Sequence, residues 1–546
     1  MRKTVLASFL LGALISSQAQ ETTSSSAGEA TGTGGSAKYS IGQVFYTNTT
    51  NAEGVQQVNT TTWDGSESLS WATAGNWSNG LPDTSSEVII PTGLATYPTA
   101  NAAVSVKTVS LASGTSLIAE STFTGSITYH RNLPTENWYL VSSPVVGETY
   151  DDAYITANSI ASGTGNNRAI ATYTTSNDSW SYAQVAENNT FSSGTGYSVK
   201  RATGQGAGDL SFTGSMKVDN TSLALTTSGN GYNLLGNPYL SYINSGSLLV
   251  SSTSSLTSQT MWVWNQTNNS YQTKVTVDAF KLAPGQGFFV KANISSGTVQ
   301  INEDTQSHES LDGFLRTETR PEVHLILSDG ATSKEAKIYY IQGTTTGFDN
   351  GYDGEMFGGV ENEFAIYTHL VTDSEGKDYQ VQSVPDNNYE NMVIPVGMNA
   401  ASGTAITISA AITNLPAGID VYLEDNEDHS FTILDNSSNF TTTLSKDISG
   451  TGRFYMHTTA SALSTNNLAF NQLNVYTSSR NNLRILGAQN GTVKVELFTM
   501  LGKKVLTTSF KGTGVNDLTL PTLAKGIYLV QLATEKGTIN KKIIIK

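Results

Sequence analysis

The chain has 546 residues, no Cys and a formal net charge of −15. That length exceeds what one core supports, so several domains are expected, and the absence of Cys excludes disulfides and thiol nucleophiles. The negative balance argues against a nucleic-acid partner, whose phosphates need clustered Lys and Arg.

Only 14% of residues are charged, Ser, Thr, Asn and Gly are abundant, and long helical periodicities are scarce. These features predict a multidomain all-β protein of short strands and polar turns. Arg2 and Lys3 precede an apolar run from Val5 to Ile15, followed by the small residues Ser17 and Ala19. This is the layout of a secretory signal peptide over residues 1–20, cleaved at Ala19 or Gln20. No other apolar stretch reaches the roughly 18 residues of a membrane-spanning helix. Residues 21–60 are too polar to bury a core and read as a flexible leader. Residues 61–124 open with Trp63, Trp71 and Trp77 and continue as short apolar steps such as Val88-Ile89-Ile90 and Val104-Ser105-Val106, a pattern resembling a β-roll or β-helix. The three Trp residues are read as caps of a strand stack, with a glycan platform as the alternative.

Self-comparison of the next segment points to an internal duplication. Trp138-Tyr139-Leu140-Val141-Ser142-Ser143-Pro144 matches Tyr232-Asn233-Leu234-Leu235-Gly236-Asn237-Pro238 in residue type at an offset of 94. Tyr173 and Ser179-Trp180 match Trp264 and Ser270-Tyr271, and Gly194-Thr195-Gly196-Tyr197 matches Gly285-Gln286-Gly287-Phe288, both at an offset of 91. Residues 125–227 and 228–318 are therefore expected to be two related β-units acting as scaffold. Trp262 and Trp264 alternate on one strand and share a face. Exposed, that face would stack on sugar rings; buried, it is core, and the match of Trp264 to Tyr173 favours core.

Residues 319–460 hold about eight strand-like runs and predict a β-sandwich or jelly roll. Asp349, Asp353 and Glu355 lie on a Gly-rich loop, where near-alternating oxygen ligands would suit calcium; the spacing is not that of an EF-hand, and a solvated turn is the alternative. Glu424-Asp425-Asn426-Glu427-Asp428 reads as a charged hairpin tip. No catalytic constellation emerges: His-Glu-x-x-His and Gly-x-Ser-x-Gly are absent, and the six His residues are scattered. Paired carboxylates for glycoside hydrolysis are set in space and are not legible in sequence.

The last segment, 470–546, holds seven alternating runs and predicts a small seven-stranded sandwich. Val495-x-Leu497-Phe498, Leu501-Gly502-Lys503-Lys504-Val505, Leu523-x-x-Gly526-x-Tyr528 and a basic-aliphatic end through Lys541, Lys542 and Lys546 follow in order. This order resembles the type A C-terminal sorting domain of type IX secretion substrates in Bacteroidetes. Thr477 departs from it, standing where that family usually has Pro after the opening Val-Tyr. Residues 319–460 likewise resemble the module that commonly precedes such tails. The resemblance implies secretion across the outer membrane, contact with the type IX machinery and its sortase-like peptidase, and extracellular release or attachment to surface lipopolysaccharide. The residues together point to a non-enzymatic secreted or cell-surface β-protein in adhesion or matrix interaction; a carbohydrate-binding or glycoside-active protein is the alternative.

Overall fold

The computed structural model describes residues 27–32, 35–40, 59–294, 297–309, 320–387, 389, 392–435, 437–459, 474–479, 481–488, 491–511, 514–534 and 537–545. The signal-peptide positions Ala19 and Gln20, and Lys546, lie outside them. The chain divides into two units, residues 1–58 and 59–546. In the first, Ala27–Gly32 pairs antiparallel with Gly35–Ser40, so regular pairing occurs where composition predicted none. A lone two-stranded pairing is marginal in water, and composition gives little sign of it.

The second unit begins with four strands, Asn59–Thr62, Ser86–Ile90, Val104–Leu111 and Phe123–Leu133, stacked side by side in parallel. Alternate residues, among them Val88, Ile90, Val109, Leu111, Ile127 and Tyr129, face a common core. Just beyond the edge strand, Trp63, Trp71 and Trp77 are buried and meet edge to face at 4.9 and 4.6 Å. The indole N–H groups of Trp63 and Trp77 donate to the carbonyls of Thr96 and Trp71. Gly208–Met216 then adds antiparallel to Phe123–Leu133, extending the parallel stack into the segment that follows.

Two four-stranded sheets come next. One has the order Ser179–Gln184, Asn167–Thr174, Tyr197–Lys200, Trp138–Val141; the other runs Ser270–Val275, Thr260–Asn265, Gly287–Lys291, Tyr232–Gly236. Their strand orders correspond one to one, and in each a short helix lies between the sheet's first two strands in chain order, Trp138–Val141 and Asn167–Thr174 in one and Tyr232–Gly236 and Thr260–Asn265 in the other. Helix Asp152–Ala157 is capped by the Asp151 carboxylate, and helix Ser245–Ser251 by the Asn244 side-chain oxygen, each accepting from N–H groups of the first turn. The sheets meet reciprocally. Val141 bridges to Gln286 while Thr195 bridges to Leu235; the Ser142 N–H donates to the Gly285 carbonyl at 2.9 Å, and the Gly236 N–H to the Gly194 carbonyl at 2.8 Å.

Residues 322–459, the sandwich domain expected from the sequence, build one eleven-stranded sheet around a main core that includes Val323, Leu325, Ile338, Ile394, Val396, Ile408, Leu423 and Met456. The pairing is antiparallel except between Ser333–Tyr340 and Tyr379–Val384, which run parallel. The tail comprises a three-stranded sheet, Asn474–Ser479, Asn482–Ala488 and Gly514–Thr519, and a four-stranded one, Lys504–Lys511, Thr492–Thr499, Gly526–Thr534 and Gly537–Ile545. Their apolar faces enclose Val475, Leu483, Ile485, Val495, Leu497, Val530 and Ile543. Among the described residues no helix is long and apolar enough to cross a membrane.

Candidate functional site

The second four-stranded sheet and the sandwich domain meet through aromatic side chains. Met261 and Val263 face the sheet's own core, which directs Trp262 and Trp264 to the opposite face. Phe357, on the loop after Gly354–Glu355, inserts there and packs with Tyr232, Trp262, Tyr271 and Phe289 at centroid separations of 4.0 to 5.6 Å. Trp262 is 2% exposed, and its indole N–H donates to the Glu355 carbonyl at 2.9 Å. A buried aromatic ring of this kind stabilises the contact by roughly 2 kcal/mol. Trp262 therefore serves as part of an interdomain clamp and offers no face to a sugar. Trp264 is half-buried, tied by its N–H to the Trp138 carbonyl at 2.8 Å, and edge to face with Tyr271 at 4.8 Å.

Beside this clamp lies a groove of about 390 Å³, walled by Trp264 and Tyr271 on one side and by Phe357, Glu361, Glu363 and Lys334 on the other. Glu361 and Glu363 are exposed, and Asn362 steadies their loop by donating to the Phe357 carbonyl at 3.0 Å. Burial pulls the Lys334 ammonium below its ordinary range. The groove thus combines an aromatic wall, two carboxylates and one ammonium. This mixture suits a polyhydroxylated ligand with apolar C–H faces and many hydroxyls.

The Asp349–Glu355 loop is the strap that brings Phe357 into place. Asp353 is fully buried; its two oxygens accept the N–H groups of Ser383 and Asp349, each at 2.6 Å. The Gly351 carbonyl accepts from the Val277 N–H at 3.2 Å, and the Asn350 side-chain oxygen from the Gln259 N–H at 2.7 Å, joining the loop to the second sheet. Burial pushes the Asp353 carboxyl up to about 7, against the pull of those backbone donors. Asp349 turns an oxygen to the Thr345 N–H, and Glu355 turns to Lys377 at 2.9 Å. The three carboxylates expected around calcium thus point to separate partners. Among the described residues no group of three or more His, Asp or Glu side chains could hold a metal ion.

The acidic run also differs from its expected role. Glu424 and Asp425 are buried in strand Asp420–Asp425, and only the residues after them form the turn. Asp425 is gripped bidentately by Arg453, at 2.9 and 2.8 Å. Histidines serve as ties as well. Ser116 Oγ lies 2.6 Å from His308 Nδ1, but Ser116 is buried and the other ring nitrogen meets Thr99 Oγ1 at 2.8 Å. A neutral imidazole gives one hydrogen bond and takes one, which fits two hydroxyls. Burial pulls this imidazole down to about 4. His369 pairs with Asp378 at 2.9 Å, and His457 with Glu424 at 2.8 Å.

In the tail, Val495 and Leu497 are buried, and Val505 and Leu523 pack against the same core. Gly502, at φ +79°, forms the turn before exposed Lys503, a backbone angle that disfavours any side chain. Gly526 opens its strand, and the buried Tyr528 donates to the Ala524 carbonyl at 2.9 Å. Lys541 and Lys542 lie on the last strand, with Lys542 exposed.

Residues 471–546 match the family model of the secretion system C-terminal sorting domain. Residues 269–457 match that of a domain of unknown function, DUF8693, a span containing most of both groove walls. No curated protein matches the chain. The tail makes the chain a type IX secretion substrate of the Bacteroidetes kind, engaged by the secretion machinery and exported to the cell surface or extracellular space.

Proposed function

We propose that this type IX secretion substrate works outside the cell as a non-enzymatic β-protein in adhesion or in surface and matrix interaction, with the groove beside Trp264 as its contact point. One observation carries the reading. The groove presents an aromatic wall and exposed carboxylates to solvent, whereas the neighbouring Trp262 is spent on a tie between domains. The aromatic wall also favours a narrower reading, carbohydrate binding or glycoside activity, since a sugar's C–H face stacks on such a wall while its hydroxyls meet Glu361, Glu363 and Lys334. Attachment of the exported body to surface lipopolysaccharide belongs to the same proposal.

The test is binding of the secreted chain to matrix-coated surfaces and to a glycan array. Saturable binding that weakens at least tenfold in Glu361→Gln/Glu363→Gln supports the groove as the site. Saturable matrix binding with no glycan hit favours protein ligands. Absence of binding to either, or binding unchanged in that variant, overturns the assignment.

A further inference from the structure

The sandwich domain and the tail meet through two facing rows of polar and aromatic side chains. In strand Asp420–Asp425, Val421 and Leu423 point into the sandwich core, so Tyr422 and Glu424 occupy the outer face. Register places Tyr455 opposite Glu424 and His457 opposite Tyr422. In the tail, Val475, Leu483 and Ile485 point inward, and register aligns Tyr476, Arg484 and Asp517 across the outer face of the three-stranded sheet.

Arg484 and Glu424 are both 0% exposed and form an ion pair. Arg484 also holds Asp517 through Nε and Nη2 at 2.8 and 2.7 Å, and its Nη2 donates to His429 Nδ1 at 2.6 Å. Glu424 accepts in addition from Tyr476 OH and from His457 Nε2 at 2.8 Å. Burial works against the Glu424 charge, but the His457, Tyr476 and Arg484 contacts outweigh it and hold the carboxyl below its ordinary range. Tyr455 OH donates to the Ser478 carbonyl at 3.1 Å. A buried ion pair repays its desolvation only when its geometry is good and its remaining donors and acceptors are matched; here the guanidinium and the carboxylate are each met from both domains. A tail merely tethered by its linker would leave both charges in water.

We propose that the sandwich domain is a specific non-covalent receptor for its own tail, with Glu424 as the guanidinium seat. Cutting the chain within residues 460–473 then leaves the tail in place, and separation requires the Arg484–Glu424 contact to break. The test uses the full chain with a specific protease site inserted in 460–473, cut to completion and run on size exclusion at neutral pH. The tail fragment is expected to co-elute with the body at micromolar concentration. Glu424→Gln, which keeps the shape and removes the charge, is expected to weaken retention at least tenfold, and Tyr455→Phe several-fold, with both variants checked for unchanged circular dichroism before cutting. A wild-type tail that elutes alone overturns the proposal, as does a Glu424→Gln tail retained as well as wild type. If Glu424→Gln does not fold, Tyr455→Phe decides: retention equal to wild type counts against the seat.

Discussion

Gly236→Ala tests the reciprocal meeting of the two four-stranded sheets. A Cβ at position 236 would overlap the Ser142 Cβ and sit 2.6 Å from the Ser142 Oγ, well inside normal contact. Neither side can retreat. The Gly236 N–H is bonded to the Gly194 carbonyl at 2.8 Å, and fully buried Ser142 is held by its N–H to Gly285 at 2.9 Å and its Oγ to the Asn237 carbonyl at 2.8 Å. Overpacking costs about 1–3 kcal/mol, and each displaced hydrogen bond about 1 kcal/mol more, so Gly236→Ala should destabilise by roughly 3 kcal/mol. Positions 142 and 236 face each other where the two sheets meet, and Ser142→Gly removes the colliding atoms. Ser142→Gly alone should cost about 1 kcal/mol, for the lost hydroxyl bond. The double variant should fall back to about the 1 kcal/mol cost of Ser142→Gly alone, giving a coupling energy of about 3 kcal/mol. The assay is urea unfolding of all four members of the cycle, with amide hydrogen exchange at 138–142 and 232–237 as the local readout because a multidomain chain need not unfold in one step. A Gly236→Ala effect below about 0.5 kcal/mol, or no rescue by Ser142→Gly, would refute the reasoning.

Asp353, its carboxyl raised to about 7, lends stability that is fully present below the ordinary carboxylate range and is lost as pH rises through about 7. Thermal melts of wild type and Asp353→Asn across that window should therefore diverge in slope, and parallel curves would contradict the assignment. His308 has the opposite sign: its imidazole is lowered to about 4, so its contribution is complete above 6.5 and fades as pH falls through about 4. The effect is at most roughly 3 kcal/mol, and His308→Gln should flatten that limb of the melting curve. Because the Asp353 oxygens are taken by backbone N–H groups, calcium chelation should leave the melting temperature unchanged; a drop of several degrees would show that a cation ties the loop.

Period-2 alternation found strands with one buried and one more exposed face, such as Thr492–Thr499 in the tail and Glu322–Ser328 in the sandwich. Alternation failed where both faces are covered. Glu424 and Asp425 read as solvated because Arg484, His457 and Arg453 lie 60, 33 and 28 residues away in sequence. Trp262 shares its strand face with Trp264, yet Phe357 covers it, and nothing near residue 262 announces that ring. The Asp349–Glu355 loop has the composition of a cation loop, but Asp349 and Asp353 accept the N–H groups of Thr345, Asp349 and the distant Ser383, and Glu355 turns to Lys377. Sequence alone marked Trp264; Glu361, Glu363 and Lys334 joined it only once the loop after Phe357 was placed.

The most direct test of the binding account is hydrogen–deuterium exchange on the full chain, with and without a saturating glycan or matrix ligand. Protection confined to 264–271 and 356–366 is the predicted result. Protection elsewhere, with those two segments unchanged, would contradict the account.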